Sequence, residues 1–433
     1  MRGPGKPAFF LPTLMIRGIA AFLAAAGTIG LAAASDDNWP QWRGPARDGR
    51  PAVKDIQRDW SKGLKKLWQV DDLCKGKNAE CWSGLAIQDG RLVIPGREEN
   101  RDTVRCLDAL TGKELWNKYY DAPAPPSGVQ YGNGARATPA IADARVFTFG
   151  CMGDLVCWDL QTGKIFWAKN MEQLGGRRPR WGYASSPFLY KDKVIVQGGE
   201  KVMVVAFNVH SGEVAWKLSG GGAGYAAPML VEVAGKPQLI AFTGAGLVAV
   251  NPDDGTPLWT YPFETAFEMS CTTPVAIGER LLVSSSNYGD KGGTALLQLS
   301  PNGPKKLWAN RVLGAAHNDP VVIDGLIYAF TGFSLNNREL QCMDLATGAK
   351  KWSTAEAGGP GNVVEVDGLL LCLGNAGKLV LAKPSAKSFE KITEFKAIDG
   401  APAKGQPVWT APILVGNRIY IRRVNQLICY AIK

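Results

Sequence analysis

The sequence predicts an all-β fold, an eight-bladed β-propeller of four-stranded antiparallel blades whose last blade is closed by the N-terminal strand. Three observations predict it. A nine-residue unit typified by DLQTGKIFW (159–167) recurs along the chain, short apolar strands precede each copy, and a tryptophan returns at nearly constant spacing. A fixed internal period of this length marks a repeat architecture rather than a string of separate domains.

The other copies are DALTGKELW (108–116), NVHSGEVAW (208–216), NPDDGTPLW (251–259), SPNGPKKLW (300–308) and DLATGAKKW (344–352). Each reads as strand, tight turn, strand. The leading Asp, Asn or Ser can bond its own backbone two residues on. The Gly at 112, 163, 212, 255 and 348 supplies a positive φ. Gly303 sits one place early, which predicts a variant turn there. The tryptophan then falls on the outer strand, where a large ring can cover the gap between adjacent sheets.

Before each unit lie an apolar strand opened by small residues, as in ATPAIAD, SSPFLYKD and TAPILVG, and a third run such as RVFTFG or RIYIRR. Four short strands per repeat is the pattern of a propeller blade. The register Trp68, Trp116, Trp167, Trp216, Trp259, Trp308, Trp352 steps by 48, 51, 49, 43, 49 and 44 residues, and a further 43 reaches Phe395 in a degenerate copy. That makes eight blades. KKLW, ending at Trp68, has no preceding strands of its own, and the C-terminal segment has three strands and no fourth. Pairing the two ends removes the edge that an open sheet would expose.

Residues 1–34 read as a secretory signal peptide: Arg2, Lys6 and Arg17 precede an apolar run over 18–31, and Ala32-Ala33-Ala34 offers a cleavage site after Ala34. An uncleaved anchor is the alternative. Residues 35–59 form a Trp/Pro/Gly-rich strap, expected to pack Trp39 and Trp42 on the propeller's outer surface, with a docking peptide as the second reading. Residues 60–433 are the propeller. No other stretch reaches the ~20 apolar residues of a membrane span, so the mature chain is expected to carry none and to be periplasmic or secreted, and a monomer. Without the three leader cations its net charge is +7, which points mildly to anionic partners; the short basic cluster 177–180 and export both argue against nucleic acid.

Nine cysteines in an exported chain invite disulfides. Cys106, Cys157, Cys342 and Cys429 align with alanines of other blades and read as small buried strand residues. Cys74 and Cys81 are the best candidates for a disulfide pair, with Cys151 and Cys157 across a hairpin as the second, and the odd count leaves at least one free thiol.

Loop lengths point to where function sits. Links between first and second strands are short, as are the glycine turns, and both lie on one face of a propeller. The opposite face carries the long links 117–136, 170–181, 287–293 and 332–339. Elaborated loops on a rigid scaffold are where binding residues concentrate. The residue three places before each strand-opening Pro, or its equivalent, should ring the channel mouth: Trp82, Arg136, Ala184, Tyr225, Cys271, His317, Pro360 and Trp409. With the neighbouring Tyr183 and Asn318, the ligand- or partner-binding set is Trp82, Arg136, Tyr183, Tyr225, His317, Asn318 and Trp409. These suit a planar or anionic ligand, while the competing reading is that large side chains simply plug the channel. No G-x-S-x-G, H-E-x-x-H or paired C-x-x-C occurs, so neither a catalytic residue nor a metal ligand is assigned.

The D-x-x-T-G-x-x-x-W units resemble the pyrroloquinoline-quinone (PQQ) type propeller repeat, over about residues 60–433. Within that superfamily, quinoprotein alcohol and glucose dehydrogenases hold PQQ and calcium in an eight-bladed funnel, and the barrel-assembly lipoprotein of bacterial outer membranes shares the architecture as a cofactor-free scaffold. The lead-in WPQWRGPARDG is similar to that of planctomycete-type secreted PQQ-like repeat proteins. The chain lacks the adjacent-cysteine pair of the alcohol dehydrogenases, and no calcium-ligand set can be placed; the acylated cysteine of the lipoprotein is missing too. The loop asymmetry and these missing catalytic parts lead to the expectation of an exported, non-catalytic scaffold without cofactor, binding an envelope protein, peptide or polymer on its long-loop face. The alternative the resemblance implies is a PQQ- and calcium-dependent oxidoreductase of alcohols or sugars.

Overall fold

Eight antiparallel sheets make up the computed structural model, which describes Met1 and residues 37–222, 224–332, 339–399 and 407–433. The expected leader and most of the 332–339 loop lie outside the described residues. Blades one to seven span 86–121, 140–170, 188–220, 229–262, 275–310, 321–354 and 361–396. The eighth pairs the N-terminal strand Lys66–Val70 with the C-terminal Gln426–Ala431, followed by Arg418–Arg423 and Ile413–Val415. Blade one gains a short fifth strand, Cys74–Lys75, parallel to Arg91–Glu98.

The repeat motif explains how the blades dock. Asp108 Oδ1 accepts from the backbone N–H of Leu110 and Thr111 and from the Thr111 hydroxyl, and Asp159 and Asp344 repeat the bonds to their threonines. The turn glycines at 112, 163, 212, 255 and 348 have φ between 69° and 75°. They are glycine for a second reason. The tryptophan of the preceding blade lies flat on each, so that a Cβ at Gly112, Gly212, Gly255 or Gly348 would sit 2.6–2.8 Å from the ring of Trp68, Trp167, Trp216 or Trp308. The indole N–H of Trp116, Trp167 and Trp216 then donates to the next blade's turn, at Leu160 O, Val209 O and Pro252 O, over 3.0–3.1 Å. At the variant turn the pattern breaks: Trp259 donates to Gln238 Oε1 instead. In the degenerate copy Phe395 covers Gly63, the glycine before the closing strand.

In every blade but the seventh the outer strand carries a β-bulge just before its repeat tryptophan, as between Ile165 and Trp167 and between Cys106 and Leu107 opposite Trp116; in the seventh it falls between Lys391 and Thr393, ahead of Phe395. The bulge interrupts strict alternation. It turns the ring inward while leaving the residue before it, Leu115, Phe166, Leu258 or Leu307, exposed. The core lies between blades, in clusters that join neighbouring sheets, such as that of blades seven and eight around Leu371, Leu381, Ile419 and Ile428.

The strap departs from expectation. It is not laid on the outer surface but inserted into the central channel, because the innermost strands converge there with free edges and unpaired backbone groups. Trp39 exchanges both backbone hydrogen bonds with Ile87 at 2.8 Å, and Pro40 O accepts from Ile141 N. Arg47 lies over the Phe188 ring at 4.4 Å and donates to Pro228 O. Arg43 pairs with Asp319 at 2.8 Å, and Arg50 with Glu365. The segment enters and leaves by the short-turn face, where Asn38 accepts from Asp89 N and Arg58 meets Asp367.

Candidate functional site

On the long-loop side the strap becomes a floor. Above Trp42 opens a cavity of about 600 Å³, walled by the links that run from each outer strand to the next innermost strand. Of the eight channel-mouth positions read from the sequence, Trp82, Arg136, Ala184, Tyr225, Cys271, His317 and Trp409 line it. Pro360 does not; its carbonyl accepts from Asn375 N. Asn318 also lines the cavity, though its amide is engaged as a clamp: it donates to Ala316 O and Phe330 O and accepts from Phe330 N.

Tyr183 belongs elsewhere. Alternation along the chain sends Ala184 toward the cavity and its neighbour the other way, so the Tyr183 ring is buried against Phe149 at 5.4 Å. Its hydroxyl has no protein partner, and burial holds it well above the ordinary phenol range.

The walls are aromatic. Trp82 and Trp409 meet at 4.4 Å between centroids, with Tyr131 and His317 edge-on to Trp409 at 5.6 and 5.0 Å. Across the mouth Trp181 packs on Tyr225 at 5.6 Å. Sequence reading missed Trp42, Tyr131, Trp181 and Met269. The available signal was the presence of Trp and Tyr inside the long links and in the WPQW lead-in; no repeat position aligns them.

Most of the polar groups are engaged within the protein, although the Trp409 indole N–H has no partner. The indole N–H of Trp82 donates to Tyr131 O, that of Trp181 to Gln130 Oε1 and that of Trp42 to Thr273 Oγ1. Arg136 organises the wall rather than reaching into the space: Nη1 donates to Gly134 O and Cys151 Sγ, and Nη2 to Gln130 O and Gly132 O. Asp319 accepts from Arg43 and from Thr273 N. Burial, with the Asp319 charge behind it, pushes the Cys271 thiol up to about 12, so it stays protonated and is no nucleophile. Burial, then the neighbouring Arg43, lowers Arg47 to about 9, still cationic at neutral pH.

Cys74 and Cys81, the expected disulfide pair, are free thiols side by side. The hydrogen bond from Cys81 lowers Cys74, against burial, to about 7, while burial raises Cys81. Cys106, Cys157, Cys342 and Cys429 are fully buried strand residues, as read from their alignment.

A family model described as outer membrane protein assembly factor BamB matches residues 100–354 and 264–432. The chain belongs to this PQQ-repeat family. A BamB from Yersinia pestis is 25% identical over 230 residues, which are 49% of this chain and 55% of that protein, so the match spans about half of each. The dehydrogenase subunit of a quinone alcohol dehydrogenase from Gluconacetobacter polyoxogenes is 27% identical over 197 residues, 42% of this chain and 25% of that subunit. The crystal structure of BamB from Moraxella catarrhalis shares the fold, with a TM-score of 0.60 at 15% identity, covering 86% of this chain and 98% of that one.

Members of the superfamily that hold PQQ and calcium pose a test of fit. Among the described residues no group of three or more His, Cys, Asp or Glu is placed to hold a metal ion. The carboxylate lining the cavity, Asp319, is neutralised by Arg43. This donor set does not fit calcium, which takes six to eight oxygens.

Proposed function

We propose that this protein is an exported, non-catalytic binding propeller of the bacterial envelope that engages a partner through its long-loop face. The observation that carries the reading is the cavity: aromatic walls, and polar atoms turned mostly inward to the protein's own loops. Such a surface suits the binding of a partner. The same face exposes Tyr131 of the cavity wall and, outside it, Phe267 and Tyr288, and Trp, Tyr and Arg dominate binding hot spots. The assembly role named for its BamB relatives supports an envelope partner, and a periplasmic or secreted location agrees with it.

A photo-crosslinking residue at Tyr288, compared with one at His210 on the short-turn face, tests this in the native host. A discrete adduct from position 288 and none from 210 is expected; the reverse would overturn the reading. The similarity to the alcohol dehydrogenase subunit favours a second reading, a PQQ- and calcium-dependent oxidoreductase. Adding PQQ and calcium to purified protein decides it: stoichiometric quinone binding with a raised Tm would put that reading first.

A further inference from the structure

We propose that Cys74 and Cys81 form a reversible thiol–disulfide site, open to exchange with an external disulfide, where the chain passes from the closing strand into blade one. Its chemistry is independent of what the cavity binds.

The fold brings the two thiols together. Cys74 lies on the short strand beside Arg91–Glu98, opposite Arg97, and the buried Leu73 before it donates its backbone N–H to Asn425 O. The chain then loops out through the exposed residues 75–78, with Gly76 at φ 100°, and returns to Cys81. That return is pinned: Asn133 N donates to Asn78 O and Gly134 N to Glu80 O, and a Cβ at Gly134 would sit 2.2 Å from Cys81 Sγ. At the base of the loop the thiols are in contact, Cys74 partly exposed and Cys81 fully buried.

A buried cation completes the site. Arg422 is 2% exposed and donates to Ser83 O and Oγ, Pro95 O and Val424 O, all neutral oxygens. Among the described residues no carboxylate pairs with it. Cys74 Sγ lies 3.6 Å from the same Val424 O, so the guanidinium ties the segment after Cys81 to the carbonyl against Cys74. A buried charge without a counter-ion is costly, and a Cys74 thiolate supplies one. Of the carboxylates around the pair, Asp102 is held by Arg97 at 2.7 Å, Glu99 is exposed against Gly76, and Glu80 is half-buried against Gly132. The bond from Cys81, against burial and with the Arg422 charge behind it, lowers Cys74 to about 7, while burial raises Cys81. The asymmetry sets the roles: Cys74 is the attacking thiolate and Cys81 the resolving thiol.

The exchange balances with the external disulfide as the one oxidant. The Cys74 thiolate attacks one of its sulfurs, that S–S bond breaks, and the other sulfur leaves as a thiolate. Cys81 then loses its proton to solvent, attacks Cys74 Sγ and displaces the first sulfur. Two protein thiols become one disulfide, and the external disulfide becomes two thiols. An exported chain meets such oxidants. The new bond closes the loop that carries Asn78 and Glu80, on which the link bearing Tyr131 and Arg136 hangs. Oxidation state therefore sets how firmly that wall of the mouth is held.

Incubating the purified, reduced protein in buffers of graded oxidised to reduced glutathione, followed by acid quenching and peptide mass spectrometry, tests the proposal. A 74–81 linkage that rises and falls with the ratio is expected, the other cysteines staying thiols. Cys81→Ser should hold Cys74 as the glutathione mixed disulfide, and Cys74→Ser should leave Cys81 unmodified. Amide exchange at Asn133 and Gly134 should slow about fivefold on oxidation, and unchanged exchange would sever the site from the mouth. Arg422 is a positioning residue: Arg422→Lys should slow Cys74 alkylation about tenfold at pH 7 and restore it in alkali, whereas an unshifted pH profile would remove Arg422 from the site. Should that variant misfold, the two serine variants decide. No linkage at any ratio, a linkage that excess reduced glutathione leaves intact, or modification of Cys81 ahead of Cys74 would each overturn the proposal.

Discussion

The indole N–H of Trp42 donates to Thr273 Oγ1 at 2.9 Å, joining the lead-in segment to the mouth of blade five across 231 positions of sequence. That one bond ties the floor of the cavity to its wall. Trp42→Ala should therefore cost about 3 kcal/mol, the usual range for truncating a packed tryptophan. It should also deepen the cavity into the channel. Urea denaturation measures the first effect; a loss below about 1 kcal/mol would mean the strap is only loosely seated.

Arg43 and Asp319 are nearly buried, with side chains 10% and 8% exposed. Removing one partner of such a pair strands the other charge, at a cost of about 3–5 kcal/mol. Arg43→Met should destabilise by that order, and the double variant Arg43→Met/Asp319→Asn should recover much of it. Failure of the double variant to recover would assign the loss to packing.

Gly212 and Gly235 share a left-handed φ of 70° and 73°, but only Gly212 lies beneath a ring, that of Trp167. An alanine at Gly235 meets nothing within 4 Å and should cost about 1 kcal/mol, the backbone term alone. At Gly212 it must also displace the tryptophan, so a loss larger by 1 kcal/mol or more is expected. Equal losses in chemical denaturation would show that blade docking does not depend on this contact.

Burial raises Asp102 to about 6 despite its 2.7 Å ion pair with Arg97. The folded state thus holds the proton more tightly than the unfolded chain. Its contribution is fully present below about pH 4 and is lost as pH rises through about 6, a change on the order of 3 kcal/mol. Asp102→Asn should flatten that part of the stability–pH curve between pH 4 and 6. An unchanged slope would place the titration elsewhere.

Cys74 and Cys271 are the two partly exposed thiols. Lowered to about 7 by its bond from Cys81, Cys74 should react first with iodoacetamide at pH 8, well ahead of Cys271, which burial holds near 12. Peptide mass spectrometry reads the order directly.

The seven mouth positions were legible because each is counted from a strand-opening motif, and a repeat carries its geometry from one copy to the next. Tyr183 was misplaced by a single residue, since adjacent positions there face opposite ways. Tyr131 and Trp181 were not legible, because long links have no period to place them.

The sequence by itself determined the eight blades, their closure by Lys66–Val70, and the face on which long links gather. These follow from local chemistry: alternation, turn residues and a repeated tryptophan. Only the tertiary structure decided that the strap fills the channel, that Trp42 floors the cavity and that most of the cavity's polar groups are already engaged. Their partners lie on the inner edges of several blades, which come together only once the ring has closed.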